Sequence, residues 1–404
     1  MKIVVSHAQK QHVYRLVYAL CKENRLKKFY TALYFKDNGI ITKFFKLSKK
    51  TSKLIQKRRF EGLNDSKITL TILPEIVSKI LSKINCDLPN FFAQRVHDKI
   101  VSLLLRPNSY DAIIGYETQA LSSFKKAKKH GAITILDAAS IYYQTVAKIN
   151  EDNNYIIRPK EKVKNIYKEG KVKSEELKYT DYIIALSEFS KKSYINGGFP
   201  ESRIRTISLG INISLFSQKE SYANEKFEII FVAGIRHLKG IKDLIEAFES
   251  LNLNNSLLTI VGNKSDAYDY VEKHLSENIK YISHVDHKKL SKLYQNASIF
   301  VLPTYIDSFP QVVFEAMSCG TPVITTTHSA AHEILNDGDD GFIIEPGDQD
   351  KLKDKILYFY NNPNEIERMG KNARKKVEKL TWENYYKNIN KIIEEILNES
   401  RTSN

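Results

Sequence analysis

Asp307 and Glu315, with seven residues between them, bracket a strand-to-helix turn in the stretch LPTYIDSFPQVVFEAMSCGTPVI, residues 302–324. An ionised carboxylate accepts two hydrogen bonds at once, which suits the vicinal diol of a ribose or hexose. Nearer the middle of the chain a second polar turn, Gly234-Ile235-Arg236-His237-Leu238-Lys239-Gly240, follows an apolar run and precedes a helical pattern. Arg236 and Lys239, beside a glycine and a helix N-terminus, suit a diphosphate, because free backbone N–H groups point outward there. Each turn also has a plainer reading: Asp307 as a helix cap, Glu315 as a surface residue, and the two cations as solvated loop residues. Taken together they offer hydroxyl acceptors and a diphosphate clamp, the combination a nucleotide sugar requires.

In the first half, His7, Lys10, Gln11 and His12 cluster where the first strand runs into the first helix, without a G-x-G-x-x-G. His7, Lys10 and Gln11 are candidates to touch a diphosphate or an acceptor, whereas His12 falls inside the helix and reads as structural. Glu117 and Glu188 follow later strands and are further cleft candidates.

Both halves of the chain alternate strands with helices. Strands are predicted at 2–6, 67–72, 112–115, 133–137, 182–185 and 205–208, and again at 227–233, 257–262, 279–282, 298–303 and 322–325. A helix is predicted at 310–317, with Pro310 at its first position and Gly320 past its end. Strands separated by helix-length segments imply α/β domains with parallel sheets and a cleft between their carboxyl ends. At 404 residues the chain exceeds one ordinary core. The division expected is an N-terminal domain at 1–209, a linker at 210–225, a C-terminal domain at 226–380 and a tail helix at 381–404 packing back on the first domain.

The net charge of +15 is unevenly shared: residues 1–216 hold 39 Lys/Arg against 19 Asp/Glu, and the remainder 23 against 28. Basic clusters at 43–59 and 125–129 suit an anionic membrane surface or are simply solvated. They lack the aromatic interleaving or motif of a nucleic-acid binder, so no nucleic acid is expected. No apolar run is long enough to span a bilayer, and the start MKIVVSHAQKQ reads as a strand rather than a signal peptide. Cys21, Cys86 and Cys319 lack metal-ligand spacing and suit a reducing cytoplasm.

The segment Asp307-Ser-Phe-Pro…Glu315-Ala-Met-Ser-Cys-Gly-Thr-Pro-Val-Ile resembles the Glu-x7-Glu signature of the retaining family 4 glycosyltransferases, with Asp in the first position. The resemblance continues through Phe231…Lys239-Gly240, Thr259-Ile-Val-Gly262, Asn296-Ala297 and Glu333-Ile-Leu…Asp337-Gly338…Gly341-Phe342. Patches at Ala185-Leu-Ser187-Glu188-Phe and Ser208-Leu-Gly-Ile-Asn-Ile…Phe216 extend it upstream.

That resemblance implies the GT-B architecture, two Rossmann-like domains facing across a cleft. It also implies transfer of a hexose-type sugar from a UDP- or GDP-sugar to an acceptor hydroxyl with retention. Glu315 would hold the ribose, Asp307 the sugar, and Ser308 and Phe309 would bring backbone amides to sugar and phosphate. Lys239 and Arg236 would serve the phosphates, with Gly234 and Gly262 in the donor site; Arg236, Lys239 and Asp307 form the catalytic set.

The family's arginine usually stands where this chain has Gly234, and its first-domain histidine is missing from Leu136-Asp137-Ala-Ala-Ser-Ile-Tyr142. Asp137 or Tyr142 is the candidate for that place. Asp337-Gly-Asp339 and Asp348-Gln-Asp350 match turns rather than a metal motif, so no metal or other cofactor is expected. The acceptor implied is a saccharide or lipid-linked intermediate, in cell-surface polysaccharide or glycolipid synthesis at the inner membrane face. The alternatives are a nucleotide-sugar epimerase of the same fold and a non-catalytic basic membrane-binding protein.

Overall fold

The computed structural model describes residues 1–35, 60, 62–84, 88–154, 156–222 and 225–402; the basic run at 43–59 and Cys86 lie outside them. Two α/β domains with fully parallel sheets face one another, the GT-B arrangement. The first sheet holds β1 (Ile3–Ser6), β2 (Leu26–Thr31), β3 (Ile68–Leu70), β4 (Ala112–Tyr116), β5 (Ile133–Ala138), β6 (Tyr182–Ala185) and β7 (Ile204–Thr206), in the order 3-2-1-4-5-6-7. The second holds β8 (Phe227–Val232), β9 (Ser256–Val261), β10 (Ile279–Ile282), β11 (Ile299–Leu302), β12 (Val323–Thr326) and β13 (Gly341–Ile344), in the order 10-9-8-11-12-13.

The central strands are buried on both faces, as IVVS in β1 and IFVL in β11 show. Two-sided burial is why they read as continuous apolar runs. β2 and β13 had no sequence prediction. β2 reads LKKFYT, with Lys27 and Lys28 interrupting the apolar pattern, and β13 is four residues directly after a glycine-rich turn. The helix predicted at 310–317 is observed at Gln311–Ser318, with Pro310 as the capping residue before it.

The segment at 210–222 is no free tether. Phe216 and Lys219 are buried, Lys219 Nζ donates to the Ala297 carbonyl at 2.6 Å, and Arg374 donates to the Phe216 carbonyl at 3.0 Å. Burial lowers the Lys219 ammonium to about 8. The chain crosses between domains twice, side by side: Ile211 N–H donates to the Leu380 carbonyl at 2.8 Å, just before helix Trp382–Thr402. That helix lies against helix Val13–Lys22, with Arg15 donating to the Tyr386 hydroxyl at 2.7 Å and Arg25 pairing with Glu394 at 2.9 Å. Among the described residues no helix is long and apolar enough to cross a membrane.

Candidate active site

The loops that follow β8 and β11 are locked together. After β8 the chain makes a short turn, His237–Lys239, and Gly240 adopts φ +71°. A Cβ on Gly240 would stand 1.9 Å from the Pro303 carbonyl oxygen, so only glycine permits this approach. Tyr305 N–H then donates to the Leu238 carbonyl at 2.9 Å and the Thr304 hydroxyl to the same oxygen at 3.1 Å. The outcome is an ion pair between Lys239 Nζ and Asp307 Oδ2, both largely shielded. Asp307 Oδ1 also accepts the Phe309 N–H at 3.2 Å, a turn contact ahead of the helix; the helix begins after Pro310 without a side-chain cap, so Asp307 is not its capping residue.

Glu315 sits one turn into the following helix, half-buried, with the Tyr294 hydroxyl donating to it at 3.3 Å. Burial pushes its carboxyl up to about 7, against a smaller lowering by the Tyr294 hydrogen bond. Glu315, Ser308, Phe309 and Gln311 line one wall of a cavity of about 710 Å³, and Lys10, Gln11, His12 and Arg15 of the first domain line the other. A second cavity of about 290 Å³ is lined by Lys239, Asp307 and Ser308 on one side and Ser140, Arg158 and Lys173 on the other. Ser308 borders both, and its hydroxyl donates across the cleft to the Ala139 carbonyl at 2.6 Å. Asp307 and Glu315 therefore open on opposite sides of one residue, in a trough of the size that small-molecule sites occupy.

The carboxyl ends of β1, β4 and β5 supply the opposing wall. His12 is the residue before helix Val13–Lys22, and its Nε2 lies 2.8 and 3.0 Å from the two Asp137 carboxylate oxygens, with both side chains almost fully enclosed. His12, read from the sequence as merely structural, thus reaches the cleft. Gln11 accepts a hydrogen bond from the Tyr116 hydroxyl and, like Lys10, faces the larger cavity. His7 is buried against Tyr116, and its Nε2 has no hydrogen-bond partner among the described residues. Burial, then the neighbouring His12 and His97, holds His7 well below its usual value. Glu117 is buried behind the smaller cavity, bonded to the Ser140 hydroxyl and 3.3 Å from Lys173 Nζ. Burial raises its carboxyl.

Several of the sequence candidates stand outside the two cavities. Tyr142 is a core residue that lines neither cavity: its ring packs on Tyr143 and Tyr194, and its hydroxyl meets Ser174 at 3.0 Å. Tyr143 is the neighbour that lines the smaller cavity. Arg236 is half-exposed, 3.5 Å from Asp266, and lines neither cavity. Gly234 is exposed at the end of β8 and also lines neither. Gly262 is glycine for a packing reason: a Cβ there would stand 1.7 Å from the Ala233 carbonyl oxygen. Glu188 lies on the seam between the domains, where it accepts the Thr206 hydroxyl at 2.7 Å.

Asp337 accepts the Ile343 N–H at 2.8 Å and Asp348 caps helix Gln349–Asn361, so both D-x-D strings hold turns. Among the described residues no cluster of three His, Cys, Asp or Glu side chains is arranged for a metal ion. Arg158 and Lys173 had no sequence signal. They belong to the segment around helix Val163–Leu177, which only the folded chain brings to the cleft.

Residues 213–376 match the family model described as glycosyl transferases group 1. The chain is 31% identical over 238 residues to the capsular polysaccharide biosynthesis glycosyltransferase CapM of Staphylococcus aureus, covering 53% of this chain and 62% of that protein. It is 28% identical over 239 residues to a probable sucrose-phosphate synthase of Thermosipho melanesiensis, covering 54% and 55%. The chain thus spans about three fifths of the length of the curated relatives it matches.

Among solved structures it is similar to the sucrose-phosphate synthase of Thermosynechococcus elongatus, with TM-score 0.70 and 17% identity over 99% of this chain and 100% of that one. It is also similar to Anabaena Alr3699/HepE in complex with UDP and glucose, with TM-score 0.65 and 14% identity over the same shares. At these identities the likeness establishes the fold.

Proposed function

We propose that this protein is a retaining glycosyltransferase that moves a hexose-type sugar from a nucleoside diphosphate sugar to an acceptor hydroxyl. The observation that carries the reading is the placement of Asp307 and Glu315 on opposite sides of Ser308, with Lys239 between sheet edge and cleft. The group 1 match over 213–376 covers these residues.

Glu315 accepts the two ribose hydroxyls, and the diphosphate passes Ser308 and Lys239. The sugar enters the smaller cavity, where Asp307, Ser140 and Lys173 offer partners to its hydroxyls. Cleavage of the bond between the anomeric carbon and the phosphate oxygen loads negative charge onto the leaving diphosphate. Lys239 meets that charge from the second domain and Lys10 from the first, with His12 held beside Lys10 at the cleft wall by Asp137. Preorganised charge of this kind stabilises the transition state without reorganisation. The acceptor oxygen bonds to the anomeric carbon on the face the phosphate leaves, and its proton passes to the departing phosphate oxygen. Retention then needs no carboxylate nucleophile.

The acceptor in this reading is a saccharide or lipid-linked intermediate of cell-surface polysaccharide or glycolipid synthesis, docked on the basic first domain. UDP-glucose is the first donor to test, because the similar HepE structure holds UDP and glucose. The deciding experiment is a melting-temperature screen against nucleoside diphosphates and their sugars, followed by NMR of the product's anomeric configuration. A ligand at 100 times its dissociation constant raises stability by about 2.7 kcal/mol. Loss of the nucleotide-dependent shift in Glu315→Ala supports the assignment, and an unchanged shift refutes it. Interconversion of the donor alone, without acceptor, marks an epimerase instead.

A further inference from the structure

Large apolar side chains that remain exposed are concentrated on one part of the first domain. Of twelve such residues among those described, seven fall between Ile72 and Leu104. Five belong to a single short helix, Leu73–Lys83, and its flanks: Ile72, Leu73, Ile76, Ile80 and Ile84, between 39% and 69% exposed. Ile72, Ile76, Ile80 and Ile84 recur every four residues and so form one ridge along the helix. Among the described residues the core does not take up this ridge. Pro74 is buried and Val77 and Leu81 half-buried, and Ser78 donates to Asn90 of the adjacent helix Pro89–Leu104 at 3.0 Å.

The ridge is also firmly seated. Thr71, just after β3, meets His97 Nδ1 at 2.8 Å, and His97 Nε2 meets the Ser6 hydroxyl at the end of β1 at 3.1 Å. The ridge therefore starts at the carboxyl edge of the sheet, the edge from which the loop holding Lys10, Gln11 and His12 reaches the cleft. Lys79 and Lys83 lie on the same helix, against one acidic residue, Glu75. An apolar face beside lysines is the pattern of a helix lying in a membrane interface. The excess of 39 cations over 19 anions in residues 1–216 favours an anionic lipid surface over a neutral one.

We propose that the ridge Ile72–Ile76–Ile80–Ile84 docks on an anionic bilayer and holds the cleft edge at the membrane, where a lipid-linked acceptor resides. The proposal rests on the acceptor reading given above. It is tested with the full chain and the double variant Ile76→Ser/Ile80→Ser, whose targets are exposed, so folding and the nucleotide-dependent melting shift are retained. In sedimentation with vesicles of phosphatidylglycerol and phosphatidylcholine at low salt, the wild type binds. The variant binds at least about tenfold more weakly, and pure phosphatidylcholine vesicles capture neither.

Equal vesicle binding by variant and wild type, or none by the wild type, overturns the proposal. So does a dimer in sedimentation velocity that the variant abolishes, since that assigns the ridge to a second copy of the chain. The vesicle assay needs no turnover, so a failed transferase reading shows separately, as loss of the nucleotide-dependent melting shift or of transfer to a soluble acceptor.

Discussion

Lys239 and Asp307 are ion-paired with each other at the rim of the cleft, so the cation proposed for a diphosphate and the carboxylate proposed for a sugar share one contact. A nucleotide sugar can satisfy both only by inserting between them or by sharing Lys239 with Asp307. The coupling makes the two ends of the ligand interdependent.

Replacing Asp307 separates the two roles. In Asp307→Asn the ammonium of Lys239 loses a competing anion, and the nucleoside diphosphate meets less negative charge. Calorimetry should therefore show nucleoside diphosphate affinity unchanged or up to about fivefold tighter, the equivalent of about 1 kcal/mol. The additional affinity conferred by the sugar should vanish. Weaker binding of the diphosphate alone would assign Asp307 to the phosphates rather than the sugar.

Glu315 predicts a pH dependence with a definite sign. Burial raises its carboxyl in the folded protein to about 7, from an ordinary value of 4.5. Between those values the folded protein binds more protons than the unfolded chain, so this residue's contribution to stability falls as pH rises from about 4.5 to 7 and then levels off. Glu315→Gln should therefore be more stable than the wild type above pH 7, by about 1–3 kcal/mol, with the difference shrinking toward pH 4. Nucleotide affinity should move the other way: it should tighten from pH 6 to 8 in the wild type as the carboxylate ionises, and lose that component in Glu315→Gln. Urea unfolding and nucleotide titrations across this range check both signs.

The contrast between the two domains shows what a sequence can carry. Around Asp307 and Glu315 the strand, turn and helix are contiguous, and Gly240 marks a close backbone approach, so local pattern and chemistry coincide. β2 was hidden because Lys27 and Lys28 break its apolar run, although Phe29, Tyr30 and Thr31 are buried. The first-domain wall was legible only in fragments. His12 meets Asp137 across 125 positions of sequence, and Lys173 meets Glu117 across 56. No local spacing encodes either pair. Tyr142 misled for the converse reason: a tyrosine just past a sheet edge suggests a site, but only packing tells that its ring turns inward while Tyr143 faces the cavity.

The His12–Asp137 pair makes its own prediction. A buried carboxylate fixes an imidazole's orientation, and here Asp137 holds the His12 ring at the first-domain wall of the larger cavity, where it can meet the diphosphate. Hydrogen bonds to charged groups contribute about 1.5–3 kcal/mol, so His12→Gln should lower kcat by roughly ten- to a hundredfold. KM for the donor should change less. Asp137→Asn should show a smaller loss, because the amide still offers the ring a hydrogen-bond partner. Equal turnover in all three proteins would return His12 to a structural role.

Glu333 joins the two domains through backbone rather than side chains. Its carboxylate, in the second domain, accepts the N–H groups of Glu188 and Phe189 at 2.8 and 2.6 Å, at the N-terminus of helix Glu188–Asn196 in the first. The Phe189 ring stacks on His328, whose carbonyl accepts the Asp307 N–H at 3.0 Å, so the seam runs directly to the loop that carries Asp307. A carboxylate at a helix N-terminus satisfies otherwise unpartnered donors and the helix dipole, contributing about 0.5–2 kcal/mol. Because that contribution exists only when the domains are closed, Glu333→Gln should shift the population toward open forms with little change in the melting of either domain. Small-angle scattering should show a larger radius of gyration for the variant, and donor affinity should weaken by about three- to tenfold as the closed, binding-competent fraction falls. An unchanged radius with unchanged donor affinity would mean that other contacts, such as the hydroxyl of Ser308 on the Ala139 carbonyl, suffice to hold the cleft shut.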